Sequence, residues 1–238
     1  MQWRLSFPMQ VGAAFAVGFV GLVPMMIDHV GAAGHGEVDV TGASTVRSPL
    51  DDVVRIRNRT CGGAELTGTG TVLDDGRVLT AAHVVLRARE ITIDSDGTGA
   101  RVTEVVVSRD DDVAILTPDR PSARPAPGVG RPLAAQDPSV GPALLSVAGH
   151  PDGGDERTRI ARAEQYLPGR DADDPPTLLR LDAESHPGDS GGPVLDRSGA
   201  VVAMVLSRES LTGQALAAPV SILRAGMGAA TDQSIPDC

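Results

Sequence analysis

Lysine is absent from all 238 residues, so each of the 21 basic side chains is an arginine. Acidic residues number 31, giving a formal net charge of −10. That balance lacks the positive excess needed to hold a polyanion, which excludes nucleic acid or an anionic membrane surface as the main partner. Aromatic rings are nearly as scarce, with three Phe, one Tyr and one Trp. Trp3, Phe7, Phe15 and Phe19 all lie near the amino terminus, leaving Tyr166 alone in the body of the chain. A folded core must therefore be built from Val, Leu, Ile and Ala, the larger of which contribute about 1.5–3 kcal/mol each when fully buried. Cysteine occurs only at Cys61 and Cys238. The close C-x-x-C pairs of zinc sites are missing, and neither a metal nor a cofactor is expected.

Long apolar runs are missing as well, with one exception. Arg4 precedes an apolar stretch, Val11–Ile27, that contains Pro24 and several glycines and ends at Asp28. A positive charge, an apolar stretch and then small residues are the layout of a secretory signal. The stretch is short for a bilayer span, which takes about 20 residues. Three readings stand: a signal peptide over 1–33, a membrane anchor through residues 5–27, or a buried core helix. Either of the first two places the rest of the chain outside the cytoplasm, secreted or in the periplasm or cell envelope. Residues 34–48 are polar and small and read as a linker. An oxidising compartment would let Cys61 and Cys238 join in a disulfide; two free thiols are the alternative.

From residue 49 onward the chain reads as short strands separated by turns. Val53–Arg57, Thr71–Leu73, Arg77–Thr80, Ile91–Ile93, Val102–Val107 and Val113–Leu116 form one series, with a hairpin turn at Asp74-Asp75-Gly76. Residues 118–132, rich in Pro, Gly and Ala, read as a crossover. Ala143–Ala148, Arg159–Gln165, Leu178–Leu181, Val194-Leu195, Ala200–Leu206 and Gln214–Ala218 form a second series. This spacing predicts barrels or a sandwich. Only Ala82–Arg89 and Val220–Ala230 look helical. The acidic, proline-ended segment 170–176 reads as a solvated loop, since its residue order does not fit a calcium site.

Three segments carry chemistry: Thr80-Ala81-Ala82-His83, Asp112-Val113-Ala114-Ile115-Leu116 and Gly188-Asp189-Ser190-Gly191-Gly192-Pro193. Taken singly, each has a bland reading as a structural histidine, a solvated acidic turn or a tight glycine turn. Together, and in this order, they resemble the T-A-A-H, D-[IV]-A-[ILV]-L and G-D-S-G-G-P motifs of the trypsin-like serine protease superfamily. The short spacing from His83 to Asp112 is similar to that of the bacterial HtrA/MarP-like branch. Gly68-Thr69-Gly70-Thr71-Val72, Ala148-Gly149-His150-Pro151 and Leu181-Asp182-Ala183 match further segments of that branch. The resemblance covers about residues 50–222.

The resemblance implies an all-β fold of two antiparallel six-stranded β-barrels with a short C-terminal helix. The first barrel would span about 49–120 and the second about 138–224, within a protease domain over 49–238. It implies a serine endopeptidase acting on protein or peptide substrates; export is expected from the amino-terminal segment, and a monomer is expected. Ser190 would be the nucleophile, His83 its base and Asp112 the orienting acid, with the amides of Gly188 and Ser190 as oxyanion hole. A catalytically silent peptide-binding module on the same fold is the alternative. Glu184 and Ser207 are candidates for the specificity pocket, with basic or small apolar preference left open. Asp189 is expected to meet an arginine or backbone donors, so that no zymogen cut is required. His186 has either a pH-dependent role or none. MarP-type relatives tie the start of the domain to its end by a disulfide, which Cys61 and Cys238 would reproduce. No PDZ domain is expected after the second barrel.

Overall fold

The computed structural model describes residues 48–95, 97–120, 130–168 and 178–232. The first series of strands comprises β1 (Val53–Thr60), β2 (Glu65–Val72), β3 (Val78–Ala81), β4 (Ala88–Ser95), β5 (Thr98–Ser108) and β6 (Val113–Pro118). They pair antiparallel in the order β5-β4-β1-β2-β3-β6, and β5 also pairs with β6, so the sheet closes into a six-strand ring. The turn at Asp74-Asp75-Gly76 forms as expected, with the Arg77 amide donating to Asp75 Oδ1 at 3.0 Å.

The second series comprises β7 (Leu145–Gly149), β8 (Arg157–Ala161), β9 (Ala163–Leu167), β10 (Leu178–Glu184), β11 (Pro193–Leu195), β12 (Val201–Arg208) and β13 (Gln214–Pro219). Their order is β8-β7-β11-β12-β13-β10-β9, which leaves β8 and β9 as edges of a half-barrel. The fold is thus all-β with two barrel-like sheets. Its second sheet holds seven strands instead of six because the expected strand Arg159–Gln165 breaks at Arg162. The carboxylate of Asp182 takes the Arg162 amide at 2.5 Å, and the Asp182 amide donates back to Arg162 O at 3.1 Å. That corner lets β8 pair with β7 while β9 pairs with β10.

The helix expected over Ala82–Arg89 is one turn long, α1 (Ala82–Val85). Asn58 Nδ2 donates to Val84 O at 2.7 Å, occupying a carbonyl that a longer helix would use. Arg87 then takes a positive φ of 61° and the chain enters β4. The C-terminal helix forms as α2 (Val220–Ala229), followed by a two-residue strand, β14 (Thr231–Asp232), that pairs with β5.

Two aliphatic clusters form the core, the first centred on the first sheet and continuing to Leu195, Val201, Met204 and Ala218 of the second sheet. Ile56, Leu79, Ile91, Ile93 and Leu116 fill the first, and Val147, Leu179, Leu181 and Val205 the second. Leu223 of α2 is fully buried and joins the first cluster. Tyr166 packs partly buried against the second. Arg131 is 1% exposed and pairs through Nε with Asp52 Oδ2 at 3.0 Å; its guanidinium also donates to Gly199 O and Ser48 O. This ties the start of the first barrel to the turn before β12.

Among the described residues no helix is long and apolar enough to cross a membrane. The signal or anchor segment, nearly all of the linker, the 170–176 loop and Cys238 lie outside the described residues.

Candidate active site

His83 sits in α1 directly after β3, and Asp112 lies in the turn that leads into β6. Because β3 and β6 pair, Ala81 is registered with Val113, which brings the histidine turn to the aspartate turn. Asp112 has a φ of 54°, a left-handed conformation that Asp tolerates better than most residues. In that conformation its groups reach α1 in three places. Asp112 O accepts the Ala82 amide at 3.0 Å, Oδ1 accepts the His83 amide at 2.8 Å, and Oδ2 lies 2.7 Å from His83 Nδ1. An ionised carboxylate only accepts, so the ring proton belongs on Nδ1 and Nε2 is left as an acceptor.

Ser190 stands in the loop between β10 and β11, and its route is fixed by backbone bonds. The Gly191 amide donates to Val205 O at 2.7 Å, and the Val205 amide to Gly192 O at 2.9 Å. Gly191 has a φ of 87°, and a side chain there would meet Thr69 O at 2.1 Å, so only glycine fits. Ser190 lines one cleft with His83, Leu66, Asp152, Pro187 and Gly188. Its Oγ donates to Leu206 O at 3.0 Å. Gly188 lies at the rim of this cleft with a φ of 93°.

Asp189 is fully buried. Its Oδ2 accepts the His186 amide at 2.7 Å and lies 2.8 Å from Arg159 Nη2 on β8. The arginine contact is close but off the angle of a hydrogen bond, and Asp189 Oδ1 has no donor among the described residues. An arginine or backbone donors were expected from the sequence, and both are present; which arginine was not legible, because β8 lies some way back along the chain. Glu184 points outward, its side chain 76% exposed and 3.9 Å from His186 Nε2. Ser207 is exposed near the end of β12. Cys61 lies exposed between β1 and β2, while its expected partner Cys238 is outside the described residues. No cluster of metal-ligating side chains occurs among the described residues.

Two contributors were not singled out from the sequence. Thr69 on β2 donates from Oγ1 to Gly188 O at 2.7 Å. Asp152, with a φ of 54°, donates its amide to Pro187 O. His150 is buried, with Nδ1 3.1 Å from Gly154 O and Nε2 unpartnered among the described residues; burial pushes its pKa below the usual histidine value. The glycines around Thr69 were the only available signal.

Residues 68–204 match the model of the trypsin-like peptidase domain. The serine protease Rv3671c of Mycobacterium tuberculosis is 35% identical over 147 residues, covering 59% of this chain and 36% of that protein. The chloroplastic protease Do-like 1 of Arabidopsis thaliana is 30% identical over 184 residues, covering 71% of this chain and 39% of that protein. The chain thus spans little more than a third of the length of these relatives. The crystal structure of the active form of Rv3671c superposes with a TM-score of 0.64 at 29% identity, covering 79% of this chain and 86% of that one. A serine endoprotease of Yersinia pestis, 21% identical with a TM-score of 0.62, shares the fold. With its closed first barrel, its half-barrel and the match across both, the chain belongs to the trypsin-like serine protease family.

Proposed function

We propose that this protein is an exported serine endopeptidase that cleaves peptide bonds through an acyl-enzyme. The observation that carries this reading is the hold of Asp112 on both the amide and the ring of His83, beside the cleft that Ser190 lines. Ser190 Oγ attacks the scissile carbonyl while its proton passes to His83 Nε2. The amides of Gly188 and Ser190 stabilise the oxyanion, a contribution of about 2.7–4 kcal/mol per donor. The imidazolium, held by Asp112, returns the proton to the departing amine. Water then repeats the sequence on the acyl-enzyme and restores Ser190. Before attack the Ser190 hydroxyl turns from Leu206 O toward His83, a tightening common when substrate binds.

The exposure of Glu184 supports a small apolar preference at the residue before the scissile bond, since a solvated carboxylate selects weakly for a cation. Paired peptides with Val or Arg at that position test this. We further propose a Cys61–Cys238 disulfide, a monomer, and either a cleaved signal over residues 1–33 or a membrane tether through residues 5–27; the mass of secreted protein before and after reduction checks the first and last. The central test uses a fluorophosphonate probe and a peptide library. The wild type should label and cleave, and Ser190→Ala should do neither. A folded wild type that binds peptides but fails to label would instead be a silent binding module.

A further inference from the structure

Three consecutive residues, Gly188, Asp189 and Ser190, supply the amides and hydroxyl of the proposed reaction, and one residue of the other barrel holds both ends of that tripeptide. At one end the Thr69 amide donates to Ser190 O at 2.8 Å. At the other, Thr69 Oγ1 donates to Gly188 O at 2.7 Å. The same Oγ1 accepts the His150 amide at 2.9 Å, so its single proton is committed to Gly188. Thr69 is itself fixed: it is fully buried, and its carbonyl accepts Thr80 Oγ1 at 2.7 Å.

The consequence lies at Gly188. Its own N–H belongs to the peptide plane it shares with Pro187, and Pro187 O is taken by the Asp152 amide. In a trans peptide the N–H points opposite to the carbonyl, so that bond aims the Gly188 N–H away from Asp152. The next plane contains Gly188 O. A glycine at φ 93° has wide freedom on both sides, and the hydroxyl of Thr69 removes it on this one. A backbone amide from any residue would hold Ser190 O. Only a side chain with a hydroxyl of this reach holds Gly188 O and takes the His150 amide together.

We infer that Thr69 is a positioning residue for the oxyanion hole, its hydroxyl locking the Gly188–Asp189 peptide from the first barrel. This rests on Ser190 being the nucleophile of a peptidase. Its effect falls on the transition state, where the Gly188 amide meets developing charge, and hardly at all on substrate binding.

Thr71 supplies a matched control. It lies two residues further along β2, is equally buried, and its Oγ1 has no partner among the described residues. Thr69→Val, Thr69→Ser and Thr71→Val are compared by kcat, KM and the inhibition constant of a peptide aldehyde, which binds as a tetrahedral adduct. Thr69→Val should lose about 10- to 100-fold in kcat, short of the full loss of an oxyanion donor, with KM within about twofold. Aldehyde binding should weaken by a similar factor. Thr69→Ser should restore kcat to within about threefold of wild type, and Thr71→Val should match wild type. Circular dichroism is recorded for each variant; should Thr69→Val not fold, Thr69→Ala, which adds no bulk against His150, gives the same readouts. An active wild type with Thr69→Val equal to Thr71→Val, or a rise in KM at unchanged kcat, overturns the lock alone. A folded wild type that neither cleaves nor labels overturns the peptidase reading and the lock with it.

Discussion

Arg159 on β8 reaches across the second sheet to Asp189, its Nη2 2.8 Å from Oδ2, while Asp189 is wholly buried and Arg159 keeps 22% of its side chain exposed. Asp189 directly precedes Ser190 in the chain, and Arg159 supplies its counter-charge. Activity is therefore expected from protein whose chain is uncut near Arg47. Amino-terminal sequencing of the active species checks this, and activity that arises only after such a cut would count against it.

Removing one partner leaves the other charge buried alone. Arg159→Met should lower the unfolding free energy by about 3 kcal/mol, the lower end for a broken buried pair because Arg159 is partly solvated. Arg159→Met combined with Asp189→Asn should recover most of that loss. Urea denaturation of the single and double variants measures both. A single variant as stable as wild type would mean that the carboxylate is held by the His186 amide alone.

Asp112→Asn isolates the tautomer of His83. Asn accepts the left-handed φ of 54° as well as Asp does, so the backbone is preserved. Its oxygen would keep the His83 amide, and its NH₂ would then face Nδ1. The ring proton moves to Nε2 and the base is lost. A fall in kcat of about 10⁴-fold with an unchanged thermal midpoint is expected, read from steady-state kinetics and a melt.

His150 links stability to pH. Its neutral form is favoured by burial and then by the nearby positive charge of Arg55, partly opposed by the Gly154 carbonyl and by Asp94 and Asp155. Its folded pKa lies below the unfolded value of about 6.5. The unfolded chain therefore binds more protons between those two values. The stability from this site is fully present above the unfolded pKa and is lost as pH falls through the folded one. Thermal midpoints measured from pH 7.5 downward should fall more steeply for wild type than for His150→Gln. Parallel curves would refute this.

Tyr166 gives an optical check of the fold. Its hydroxyl donates to Pro138 O at 2.7 Å, and burial, with Asp137 nearby, pushes its pKa up to about 12. As the chain's one tyrosine, it should leave the tyrosinate absorbance flat through pH 10 in folded protein and show it near pH 10 in denaturant. The unfolded state loses its proton first, so stability declines between those values. An absorbance step near pH 10 in folded protein would mean that the phenol is solvated.

The residues that pointed to the site share a property: each motif is local. Thr80–His83, the run from Asp112 and the Gly188–Pro193 turn are contiguous stretches whose residue types are tied to a tight backbone path. Strands with alternating or continuous Val and Ile, such as β1, β4 and β5, were legible for the same reason, since β-branched side chains and their periodicity act over a few residues. Where tertiary contacts compete with local preference, the sequence misled. The helix after His83 stops because Asn58, on another strand, occupies the carbonyl of Val84. The strand through Arg162 breaks because Asp182 turns it.

The order of the three motifs, the aliphatic core and the two series of strands were determined by the sequence itself, through side-chain chemistry and short-range backbone preference. Which arginine neutralises Asp189, that Glu184 faces solvent, and that Thr69 holds Gly188 and Ser190 at once were decided only by the tertiary structure. The first depends on folding within the second sheet, the second on which side of β10 meets water, and the third on the packing of one barrel on the other; the two contacts close to about 3 Å, a distance that no spacing along the chain encodes.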